Sequence, residues 1–172
     1  MTWRQAVVIG TFVFLAVMIQ LTLLSRLGLP GATPDLVVVT VAGLALAMGP
    51  VQGATAGFAA GILVDLAPPA DTLLGVNAIV YLVVGYVIGR AIDPRDRTLL
   101  LMVGMTGLAV AAATIGVAAL DTLLGSGRVA WDEMAGMVLS SALYAMIMAP
   151  LVIVATAAVA RRVTPEASVL TG

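Results

Sequence analysis

Apolar runs long enough to cross a lipid bilayer follow one another along this sequence, parted by short clusters of Pro, Gly, Asp and Arg. The first, Gln5 to Leu24, spans about twenty residues, enough for a ~30 Å hydrocarbon core at 1.5 Å per helical residue. It follows Arg4 like a secretory signal, but Ser25-Arg26-Leu27-Gly28 supplies no small-residue cleavage site, so it reads as a retained span. Composition points the same way. Hydrophobic residues make up 62% and charged residues 10% of 172 positions, and mean hydropathy is +1.16. A soluble domain carries about 25% charge, and a chain this short cannot hide so much apolar surface from water. The expectation is an all-α integral membrane protein, which excludes a soluble enzyme, a disordered tail and a nucleic-acid binder.

One polytopic domain, 1–172, fills the chain on this reading. Leu36 to Leu66 would be ~46 Å long as one helix, too long for a single crossing. Gly49-Pro50 divides it into 36–48 and 51–66, either two short spans or a re-entrant hairpin. Segments 72–89, 99–124 and 134–160 follow, the last containing Pro150, which neighbouring helices must accommodate. A six-helix transmembrane bundle results, with 5–24 as its first member.

Arginine placement orients it. With the N-terminus inside, Arg4, Arg90, Arg95, Arg97, Arg161 and Arg162 are cytoplasmic, and Arg26 and Arg128 are outside. Asp35, Asp65, Asp71, Asp121, Asp132 and Glu133 then lie outside, against Asp93, Asp96 and Glu166 inside. Both termini are expected in the cytoplasm of a bacterial inner-membrane protein, with Trp3 and Trp131 at opposite interfaces.

The residue inventory is poor in catalytic chemistry. The chain has no Cys, no His and no Lys. Thiol nucleophiles, the usual general base, Schiff bases, HExxH zinc sites and Walker A loops are therefore excluded. Asp65 and Asp121 lack the Gly-x-Gly-Asp context of an intramembrane aspartyl pair, and Gly125-Ser126-Gly127 is not a rhomboid nucleophile motif. The reading is a non-enzyme with no cofactor and no metal.

Two patterns remain. Gly49, Gly53, Gly57 and Gly61 recur every fourth residue, leaving one helix side without side chains, and Gly85 and Gly89 repeat the spacing. Such ladders let membrane helices approach closely, either within the bundle or against a partner helix. Asp35, Asp65, Asn77 and Asp121 fall near segment ends on the outer side. They form an outer polar site, a pocket or docking surface, or else serve as caps and interhelical glue. Gln20, Gln52, Thr55, Tyr81, Thr114 and Tyr144 add further polarity in the spans.

The order of this punctuation resembles the rod shape-determining protein MreD family. Pro34-Asp35, then Gly49-Pro50, the Gly53-Gly57-Gly61 ladder ending in Asp65, and Gly75-Val76-Asn77 through Gly85 to Gly89-Arg90 carry the resemblance, over about a third of the chain. It implies a noncatalytic subunit of the bacterial elongation machinery that organises lateral peptidoglycan synthesis and cell shape. The implied partners are the scaffold protein MreC and, directly or through it, RodA, a class B penicillin-binding protein and MreB filaments. The family's fold is similar to that of the S-components of energy-coupling-factor transporters, which implies a second function, capture of a small ligand in an outward-facing pocket.

Overall fold

The computed structural model describes residues 2–22, 35–67, 73–92, 98–125 and 131–163. Among them are six α-helices, a short 3-10 turn at Trp131–Glu133 and no strand. The helices are α1 (Trp3–Thr22), α2 (Leu36–Met48), α3 (Pro50–Leu66), α4 (Val76–Ala91), α5 (Leu99–Leu123) and α6 (Met134–Val163). α1, α5 and α6 are each long and apolar enough to cross a membrane. Arg26, Asp71, Asp93, Asp96, Arg95, Arg97, Ser126, Arg128 and Glu166 fall outside the described residues.

Local chemistry accounts for the helix ends. Thr2 and Gln5 form a reciprocal capping box: the Thr2 amide donates to Gln5 Oε1 at 2.9 Å, and the Gln5 amide to Thr2 Oγ1 at 3.4 Å. The expected first segment began at Gln5, and this cap moves the start to Trp3. Thr98 caps α5 by accepting from the Leu101 amide at 3.3 Å. Gly49, at φ +101°, is at once the last cap of α2 and the first of α3, with Pro50 opening the new helix. A side chain is strained at that φ, so Gly allows a one-residue reversal.

α2 holds the centre. Its thirteen residues rise only ~20 Å, and eleven of them, Leu36 through Leu46, are buried. It touches each of the other five helices. A helix apolar on every side belongs inside a bundle rather than at its edge. The turn that ends it sits beside Gly89, adjoining Arg90, so this hairpin reaches the level of the far end of α4. The long helices lie around it, with Phe14, Leu100, Leu108, Ile147 and Leu151 facing outward. Two buried threonine hydroxyls stay within their own helices: Thr106 donates to the Met102 carbonyl at 2.8 Å and Thr156 to that of Val152 at 2.9 Å.

α3 and α4 form the closest pair. A Cβ added at Gly57 would collide with the Tyr81 carbonyl, one at Gly61 with the Ala78 backbone, and one at Gly53 with the Gly85 carbonyl. Gly85 and Gly89 return the contact onto Gly53 and onto Gly49-Pro50. The two backbones therefore touch along an antiparallel seam, and the ladder is filled by α4 of the same chain. Gly49 itself stands outside the groove, since a Cβ there would meet only Gln52 Oε1 at 3.7 Å.

Candidate functional site

The helix ends sort by charge. α2, α4 and α6 begin, and α1, α3 and α5 finish, at one end of the bundle, as Gln20 beside Val37 and Gly107 beside Met146 require. All described acids, Asp35, Asp65, Asp121, Asp132 and Glu133, occupy that end. All described arginines, Arg4, Arg90, Arg161 and Arg162, occupy the other.

At the acidic end Asp35 and Asp65 each close a helix N-terminus, but from different positions. Asp35 caps its own helix, accepting from the Val38 amide at 3.0 Å through Oδ1. Its Oδ2 accepts from the Tyr81 hydroxyl of α4 at 3.2 Å, and Gln20 of α1 accepts from the Val37 amide at 2.9 Å. Three helices are joined there. Asp65 caps a neighbour instead. The position before α4 is Gly75, at φ +99°, which has no side chain to accept from the first amides. Asp65, 4% exposed at the end of α3, accepts from the Gly75 amide at 2.8 Å and the Ala78 amide at 3.3 Å through Oδ2. Its Oδ1 takes the Asn77 amide at 3.4 Å and Asn77 Nδ2 at 2.8 Å. A carboxylate across a helix N-terminus also meets the positive end of the helix dipole.

The four expected polar residues thus separate. Asp35, Asn77 and Asp121 line a cavity of about 350 Å³ toward the acidic end. Asp65 is not among its lining residues; it bonds to Asn77, which is. Tyr81 and Thr114 complete the polar lining, and Ala113, Val117, Ala118, Met134 and Met137 form the apolar part. Asn77 and Asp121 are buried, at 5% and 7% exposure, and Tyr81 and Thr114 lie one to two turns deeper along α4 and α5.

Met134 and Met137 carried no sequence signal, and Tyr81 and Thr114 stood only among scattered polar residues. Helical spacing marks the latter two: Asn77 and Tyr81 are four apart, and Thr114, Ala118 and Asp121 follow one α5 stripe. Comparison with family models, curated proteins and solved structures finds no match for the chain. What the geometry defines is an all-helical protein with membrane-length apolar helices, a glycine seam and an acid-lined cavity at one end.

Proposed function

We propose that the protein is a noncatalytic multi-pass subunit of the cell-elongation complex in the bacterial inner membrane, of the MreD type, with the arginine-bearing end and both termini in the cytoplasm. It binds MreC and so couples the elongation machinery, including RodA and a class B penicillin-binding protein, to lateral wall growth. One observation carries the reading. Described residues behind the family resemblance are spent on one another: Asp65 on the amides of Gly75, Asn77 and Ala78, and the glycine ladder on α4. Residues so used build a rigid scaffold and hold no reacting group free, which suits an assembly role. The arginine end supports the orientation.

The deciding experiment is affinity purification of the full chain from native membranes in mild detergent, identifying both proteins and retained small molecules. Recovery of MreC is the expected result, together with rounded cells on depletion that no nutrient rescues. A stoichiometric vitamin-like ligand with an ATPase module would overturn it and favour the second reading, a ligand-capturing S-component-like subunit, which the 350 Å³ cavity supports. Orientation is checked by single cysteines in place of exposed Leu124 and Trp3, in a chain with none of its own. An impermeant thiol reagent should label Leu124→Cys in intact cells and Trp3→Cys only after lysis; the reverse pattern inverts the topology.

A further inference from the structure

The geometry points to a binding site for a small organic monocation, an ammonium or guanidinium on a short apolar body, in the cavity between α2, α4, α5 and α6. This is a separate claim from the assembly role, and loss of MreC binding would leave it standing.

Size, sign and wall chemistry each contribute. A volume of about 350 Å³ lies within the range of small-molecule sites, and too large for one bare ion. Among the described residues of its wall, the ionisable groups are acids and a phenol: Asp35, Asp121 and Tyr81. Asp35 accepts from the Val38 amide and the Tyr81 hydroxyl, which fixes its carboxyl group in the wall. Described arginines are all at the opposite end of the bundle, so none among them neutralises the wall. A low-polarity cavity bearing carboxylates draws a cation and repels an anion. Among the described residues no three acids gather as a metal-ligand set, which leaves an organic cation favoured over a metal ion. Val117, Met134 and Met137 supply an apolar wall for its body, and the Tyr81 ring is a face on which a cation can rest. A zwitterionic lipid headgroup would bring a phosphate for which the described wall holds no cation.

The test uses the purified full chain in detergent with three probes of one shape: benzylammonium, benzyl alcohol and benzoate. Calorimetry should show saturable one-to-one binding of benzylammonium alone, with a rise in unfolding temperature. Asp121→Asn, which exchanges the carboxyl group for an amide, and Val117→Phe, which fills a half-buried part of the wall, should each weaken it by about tenfold or more. If either variant fails to fold, the three-probe comparison on the unaltered protein decides. Benzyl alcohol binding within about threefold of benzylammonium, or no saturable binding up to about 10 mM, overturns the proposal. So does undiminished binding in a folded Val117→Phe. Displacement by short-chain phosphatidylethanolamine at equal affinity reassigns the site to lipid and also overturns it.

Discussion

In the α3–α4 pair, a Cβ placed at Gly53, Gly57 or Gly61 runs into the main chain of α4; in the α5–α6 pair, one placed at Gly107 first meets the side chain of Met146, with Cγ at 2.9 Å and Sδ at 3.2 Å. The first contact cannot yield without moving a helix. The second yields by rotating a flexible thioether. One turn earlier on α5, Gly104 has nothing within 4 Å of such a Cβ. The same residue type therefore carries three different weights within one bundle, and what decides between them is the kind of atom opposite. In apolar surroundings the hydrophobic effect gives helices little reason to pair, so backbone-to-backbone contact is where close packing is gained.

The sharpest way to break that contrast is Gly57→Ala. The added methyl would occupy the position of the Tyr81 carbonyl, forcing α3 and α4 apart along the seam. The expected loss is about 3 kcal/mol or more, at the upper end for overpacking. Unfolding of the purified variant in detergent, followed by circular dichroism, measures it, and poor accumulation in the membrane is the accompanying sign. A melt equal to that of the parent would mean the seam opens freely, and the contrast between the pairs would collapse. Because Tyr81 also donates to Asp35, displacement of α4 should loosen the N-terminus of α2 as well.

Asp65 sharpens the same comparison at the end of the seam. Asp65→Ala removes the acceptor for the Gly75, Asn77 and Ala78 amides and leaves Asn77 Nδ2 without its 2.8 Å bond. Replacing a helix-capping acceptor by Ala costs about 0.5–2 kcal/mol, so the loss should be smaller than at Gly57. Asp65→Asn keeps an amide oxygen and should recover part of it. The check is amide hydrogen exchange in the first turn of α4, which should rise in Asp65→Ala while α6 stays protected. Equal exchange in both helices would show that the cap is local ornament with no hold on the seam.

Much of the fold was legible because bilayer thickness and turn residues speak directly in sequence. The 36–48 segment coincides with α2, and the second half of its hairpin begins one residue early because Pro50 itself starts α3. Segment 72–89 is the poorest match: α4 starts only at Val76, after the left-handed Gly75, and runs to Ala91. Hydropathy gives no weight to a glycine's φ, so it extended the segment across the turn. Nor could hydropathy say that α2 is central, since burial on all sides comes from five neighbours, of which α4, α5 and α6 are distant in the chain. The polar set was visible as single residues, but its division was not. Asp65 and Asn77 are twelve apart and meet through two hydrogen bonds, while Asn77, Asp121 and Met137 share a cavity wall only because α4, α5 and α6 converge. Spacing reports one helix face at a time, and a cavity needs several.

The smallest expected effects lie on α5, where they set the scale for the others. Gly107→Ala asks Met146 to shift by a few tenths of an ångström, and the better helix propensity of Ala offsets part of the cost, so the net change should stay within about 1 kcal/mol. Gly104→Ala meets open space on an exposed face and should stabilise by roughly 0.5–1 kcal/mol, mainly by restricting the unfolded chain. Both are read by the same unfolding experiment as Gly57→Ala, in the same detergent. The order Gly57, Gly107, Gly104 is the informative result, because intrinsic helix propensity alone makes all three substitutions equally favourable. If Gly104→Ala destabilised as much as Gly57→Ala, something would have to cover α5 at that face, and exposure there would mark a contact with a second chain instead of with lipid.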